Sequence, residues 1–93
     1  MTTHQLVTLS NVTPTRLSPY GIHSGTDITI QNVNSEGYVY VGGSDVATNN
    51  YGYRISPNHA ISFELSGQDG LWAVSSENEL LAAVIQTGLE SNL

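Results

Sequence analysis

Hydrophobic and polar residues alternate with a period of two over most of this chain. Asp27-Ile28-Thr29-Ile30-Gln31 puts Ile28 and Ile30 on one face. Ala60 to Leu65 sets Ile61, Phe63 and Leu65 against Ser62 and Glu64. Tyr38 to Val41 separates Val39 and Val41 from Tyr38 and Tyr40. Gln5 to Leu9, Tyr51 to Ile55 and Leu71 to Ser75 read as further short strands. Val33 breaks the register by one residue, which predicts a bulge or a strand end.

Turn residues separate these segments. Asn34-Ser35-Glu36-Gly37, Gly42-Gly43, Ser56-Pro57-Asn58 and Ser66 to Gly70 each carry turn chemistry, and Ser44 to Asn50 reads as a polar loop. Asn11 to Tyr20 contains Pro14 and Pro19 and reads as an irregular extended connection or edge. Short strands at intervals of about 8–12 residues predict an all-β fold. The expected architecture is a small antiparallel β-sandwich or barrel, jelly-roll-like, with about seven short strands. Residues 1–20 form an extended N-terminal arm or edge strand in this reading, and 21–93 a single β-sandwich domain.

The last segment supports two readings. Ser76-Glu77-Asn78-Glu79 fits a capping box, Leu80, Leu81, Val84 and Ile85 make a helical stripe, and Gly88 fits the position after a helix end. These signals predict a short C-terminal helix. Alternatively, Glu77-Asn78-Glu79 is a hairpin turn and Leu81 to Thr87 a closing strand buried on both faces.

Length and charge narrow the functional classes. Ninety-three residues make one domain of limited core, with no cysteine to staple it. Small domains without staples often gain stability by oligomerising. Arg16 and Arg54 are the only basic residues apart from histidine, and eight carboxylates leave a net charge of −6. A chain without lysine or a basic stripe lacks the footprint for nucleic acid or for anionic membranes. The start, MTTHQLVTLSNV, has neither a basic leader nor an unbroken apolar core, so no targeting segment is expected; no stretch has the length of a membrane span. The sequon Asn11-Val12-Thr13 is read as chance.

Catalytic constellations are absent from the sequence pattern. His4, His23 and His59 stand apart, with no metal-ligand spacing, and read as exposed loop or terminal residues. No G-x-S-x-G elbow is present. Glu64 falls on a strand's polar face, Asp69 falls in a turn, and Asp27 and Glu36 bracket a strand. Ser44 to Asn50 offers one charged ligand to a cation, and Gly42-Gly43-Ser44 lacks the rest of a phosphate loop. The expectation is a protein that is not an enzyme, with no metal and no cofactor.

Tyrosines remain to be explained. Tyr38, Tyr40, Tyr51 and Tyr53 would form one stripe if their segments paired, and they are the candidate contact residues. Tyrosine beside Asn suits a carbohydrate platform, but it is also enriched at protein interfaces, and the interface reading is preferred. Trp72, in an apolar strand, is expected in the core.

The run Ile28-Thr-Ile-Gln-Asn-Val-Asn, then Tyr38-Val-Tyr-Val-Gly-Gly-Ser-Asp-Val, Tyr51-Gly-Tyr-Arg-Ile-Ser-Pro, Ile61-Ser-Phe-Glu-Leu and Leu71-Trp-Ala-Val-Ser resembles small structural proteins of tailed bacteriophages. The resemblance spans about residues 27 to 88 and consists of short strands and turns. It implies a capsid decoration protein on the virion surface, made in the host cytoplasm, or a head-fibre or tail-associated receptor-binding protein; a carbohydrate-binding module is the alternative from another class. The implied partners are the major capsid protein or another virion surface and further copies of the chain, commonly as a trimer. The resemblance also moves Leu81 to Thr87 towards a strand, while the Ser76 to Glu79 stretch departs from its pattern. Met1 to Pro19 would then serve as a contact arm or exchanged strand.

Overall fold

A computed structural model describes residues 2–18, 26–65 and 70–87. These residues form eight strands and no helix: β1 (Thr3–Thr8), β2 (Thr15–Arg16), β3 (Thr26–Asn32), β4 (Val39–Gly42), β5 (Tyr53–Ile55), β6 (Ala60–Leu65), β7 (Trp72–Ser75) and β8 (Leu81–Thr87). They make two antiparallel four-stranded sheets, ordered β1-β8-β3-β6 and β2-β7-β4-β5.

The pairing has a simple rule. β1 pairs with β8, β2 with β7, β3 with β6 and β4 with β5. The chain is thus one long antiparallel ribbon, folded back at the β4–β5 connection. Wrapping that ribbon around a core brings β3 against β8 and β4 against β7. This is the jelly-roll form of the β-sandwich.

Alternation decides which side chains enter the core. Ile28, Ile30, Val39, Val41, Ile55, Ala73, Ala82 and Val84 face inwards and are buried, with Leu9, Leu17 and Leu71 closing the ends. Ile61, Phe63 and Leu65 of the edge strand β6 pack on this cluster from the side. Burying one such aliphatic side chain contributes roughly 1.5–3 kcal/mol, so this inner layer dominates the stability.

The extra strand relative to sequence expectation is the two-residue β2. Its inner-face neighbour Leu17 is buried and binds Leu71 through the backbone at 2.8 Å, so an irregular proline-containing segment still closes the second sheet. Of the two readings of the last segment the strand is the one that forms, because Leu81–Thr87 is paired on both sides as a central strand. The short helix does not form, and the strand is buried on its inner face only, with Ile85 exposed on the other. Glu79 explains why the capping box fails: its φ is 67°, outside the helical region. It closes the β7–β8 turn by donating its N–H to the carbonyl of Leu9 at 2.9 Å.

Two other turns follow their sequence chemistry. Pro57 and Asn58 occupy the middle of a turn in which the His59 N–H donates to the Ser56 carbonyl at 3.0 Å, and Asn58 has φ 65°. Proline second and asparagine at positive φ third is the type II signature. Gly37 has φ 93°, a conformation that favours glycine, and a Cβ there would lie 2.6 Å from Leu80 Cδ1, so a larger residue would also have to displace that side chain.

Candidate functional site

Outer-face positions of the second sheet bring Tyr38, Tyr40, Tyr51 and Trp72 together with both arginines. Because Val39 and Val41 point inwards, Tyr40 points outwards, and Tyr38 precedes it on the same side. Tyr38 is fixed by reciprocal bonds with Ser76: its N–H donates to Ser76 Oγ, and its carbonyl accepts from the Ser76 N–H, both at 2.9 Å. Tyr51 arrives from the loop after β4, where the Gly52 N–H donates to the Val41 carbonyl at 2.9 Å. Its ring centroid lies 4.6 Å from that of Tyr40, at an angle of 42°. Tyr38 and Tyr40 are 6.4 Å apart at 46°. The three rings form one continuous, mutually tilted cluster.

Both arginines join this face. Arg54 pairs across the sheet with Tyr40, and its guanidinium carbon sits 4.5 Å from the centroid of the Tyr38 ring. Arg16 pairs with Trp72, with its guanidinium carbon 4.7 Å from the indole. Each stack places a cation on the negative face of a ring. Between the two stacks, Val74 lies opposite Tyr40 and is fully buried although it faces outwards. The side-chain layer above the sheet therefore excludes water from the strand beneath it.

The loop between β4 and β5 supports the same face. Ala47 and Asn50 bridge through paired backbone bonds of 2.7 and 3.0 Å, and the Val46 N–H donates to the Gly43 carbonyl at 3.1 Å. Val46 is buried outside the main core, over the outward side of Gly42, where a Cβ would meet it at 3.3 Å. This loop is a folded cover for the glycine at the strand exit.

The two segments pair, as a stripe of four tyrosines would require, and the structure brings together Tyr38, Tyr40 and Tyr51. Tyr53 lies elsewhere. It pairs with Val41, an inward position, so its side chain is directed towards the other sheet, where it lines a cleft with Val41, Leu71 and Phe63. The parity was available in the sequence: Ile55 is core, and Tyr53 shares its side while Arg54 does not. Trp72 corrects a second expectation. It is half-buried on the outer face because Ala73 and Ser75 take the inward positions of β7. The roles of Arg16 and Arg54 were missed because the sequence reading used them only as a charge count.

The remaining candidate chemistry is dispersed. Among the described residues, no three His, Asp or Glu side chains converge. His4 is exposed on β1, and His59 is exposed in its turn, with its Nδ1 3.0 Å from the Pro57 carbonyl oxygen. His23 and Asp69 lie outside the described residues. Compared with protein-family models, with curated proteins and with solved structures, the chain matches none of them.

Proposed function

We propose that this chain is a non-enzymatic structural protein of a bacteriophage particle that decorates and stabilises the capsid surface, with the outer face of the β2-β7-β4-β5 sheet as its contact surface. One observation carries the reading. In a chain of net charge −6, both arginines stack on aromatic rings of a single sheet face. Trp, Tyr and Arg are the residue types that dominate the energetics of protein interfaces, where a ring offers apolar area and a guanidinium offers directed bonds. The strand-and-turn resemblance to phage structural proteins supplies the kind of partner, a large protein lattice. The fold is compatible with this role, since jelly rolls serve in viral capsids, although they also serve in lectins.

The ring geometry favours protein over sugar. A sugar platform needs an open ring face, whereas Tyr40 is half-buried between Tyr38 and Tyr51, and the rings are tilted by 42° and 46°. The deciding experiment is co-sedimentation of the purified protein with capsids of the phage that encodes it. Saturable binding that falls at least tenfold with Arg54→Ala or Tyr40→Ala supports the reading. Absence of binding, or binding unchanged in both variants, overturns it; glycan-array binding lost in Tyr40→Ala would put a carbohydrate-binding module in its place.

A further inference from the structure

The two sheets have four edges, and among the described residues nothing protects one of them. The second sheet ends in β2 and β5, of two and three residues, and short edges are a common protection against pairing. In the first sheet, β6 carries Glu64 on its outward face, and β3 adds Asp27 beside it. β1 is six residues long, THQLVT, and contains no proline, carboxylate, lysine or arginine. All of β1 except Val7 is exposed, and Leu6 is 64% exposed.

Ladder phase shows which backbone groups this edge presents. The Leu9 N–H donates to the Leu80 carbonyl, so Val7, Gln5 and Thr3 direct their N–H and C=O groups at β8. The Leu81 N–H, bonded to Asn34 Oδ1 on the β3 side, and the Asn32 N–H, bonded to His59 on the β6 side, fit the same phase. The N–H and C=O groups of His4, Leu6 and Thr8 therefore point away from the sheet, and they have no partner among the described residues.

We infer that β1 is a self-association edge, at which a second copy of the chain adds its own β1 antiparallel about a two-fold axis at Leu6. Symmetry and phase admit a two-fold axis at Gln5, Leu6 or Val7, and the axis at Leu6 is the one that pairs all three residues with each other. With Leu6 opposite Leu6 of the second copy, His4 faces Thr8 in both directions, and all the outward groups of the three residues pair. A shift of the pairing by one residue would set them against groups already bonded within each sheet. The two first sheets then join into one.

Charge selects the occupant. Two copies of a chain with net charge −6 repel wherever carboxylates meet. The β1–β8 pair is free of charged side chains apart from the histidine, and its outer face presents Leu6, Ala83 and Ile85, the last 43% exposed. The same residues line a shallow depression with His4, Thr29 and Gln31. A two-fold contact is isologous, so it gives pairs and not the threefold association that the phage resemblance implies. This inference does not rest on the capsid partner proposed above.

The test is solution mass by light scattering across a concentration series from micromolar to millimolar. The wild-type protein is expected to approach twice the 10.0 kDa of one chain. Leu6→Lys sets two like charges across the axis and is expected to raise the dissociation constant at least tenfold, with an unchanged circular dichroism spectrum. Ser62→Lys makes the same charge change on β6 and leaves the mass doubled. Register is read from paired variants: H4K/T8K opposes like charges at both flanking pairs and dissociates, whereas H4E/T8K opposes unlike charges and stays dimeric. A wild-type mass of one chain throughout the series overturns the inference. So does a dimer that survives in Leu6→Lys, or equal dissociation by Ser62→Lys.

Discussion

Asn34 occupies both lone pairs of the Asn32 side-chain oxygen, donating its backbone N–H at 3.1 Å and its Nδ2 at 2.7 Å. The Asn32 Nδ2 in turn donates to the carbonyls of Gly37 at 3.0 Å and Ile55 at 2.9 Å, which completes the amide in a site with no exposure. Asn34 continues the network to β8, donating to the Leu81 carbonyl at 2.8 Å and accepting the Leu81 N–H at 3.1 Å. Two asparagines thereby tie the end of β3 to β5, β8 and the Gly37 turn.

A buried amide of this kind holds the fold through what its loss would leave behind. Removing it strands two carbonyls and the Asn34 donors, each buried polar group costing about 1–3 kcal/mol when unsatisfied. Asn32→Ala is expected to lower unfolding stability by about 3–5 kcal/mol, and Asn32→Asp by at least as much, since a carboxylate would face two carbonyl oxygens. Asn34→Ala, with a half-buried side chain, is expected to cost about 1–3 kcal/mol. Urea denaturation monitored by tryptophan fluorescence measures all three. A loss below about 1 kcal/mol for Asn32→Ala would show that the network is dispensable.

These asparagines also mark where the sequence stopped being legible. Period-two alternation identified the inward faces of β3, β4 and β6, because each strand pairs one apolar face with one polar face. The same rule was silent on Asn32, a polar residue at an inward position just before the register break at Val33. It was ambiguous for β8, where Leu81, Ala83 and Ile85 on the outer face are as apolar as Ala82 and Val84 inside. An apolar strand of that kind resembles a helix until its partners are known. Arg16 reaches Trp72 only through the pairing of β2 with β7, a contact between segments far apart in the chain. No local signal encodes it.

The outer-face stacks predict a separation between stability and binding. Arg54 is exposed, and its stack on Tyr38 contributes on the order of 0.5–1 kcal/mol at such a site. Arg54→Ala is therefore expected to shift the urea midpoint only slightly while weakening attachment to the capsid at least tenfold, a change of about 1.4 kcal/mol in binding. Arg54→Lys keeps the charge and loses the planar group, so it is expected to fall between the two. Parallel denaturation and co-sedimentation measurements check this, and a binding loss matched by an equal stability loss would assign Arg54 to the fold alone.

Leu17 tests how far the irregular N-terminal segment supports the core. Its side chain is 2% exposed, and its carbonyl accepts the Gln86 Nε2 at 3.0 Å from the inner face of β8. Leu17→Ala removes buried methyl groups and leaves a cavity, with an expected loss of about 2–5 kcal/mol. Exposed Val12, in the same connection, is the comparison: Val12→Ala is expected to stay within about 0.5 kcal/mol of wild type. Equal effects of the two changes would show that the segment does not close the core in solution.

Two turn residues at positive φ predict opposite signs for substitutions between glycine and other residues. Glu79 holds φ 67° with a side chain present, which costs an L-residue roughly 1–2 kcal/mol relative to its right-handed conformation. Glycine removes that strain and adds chain entropy in the unfolded state, so Glu79→Gly is expected to be neutral or to stabilise by up to about 1 kcal/mol. Gly37→Ala works the other way. It places a Cβ at φ 93° and within 2.6 Å of Leu80 Cδ1, beside the carbonyl that Asn32 binds. A loss of about 2 kcal/mol or more is expected, combining backbone strain with overpacking. Leu80→Ala in the Gly37→Ala background separates the two causes, because it opens the space and leaves the strain. Partial recovery of the urea midpoint in the double variant is the expected result, and recovery to the level of Leu80→Ala alone would show that the clash, and not the backbone conformation, is what reserves position 37 for glycine.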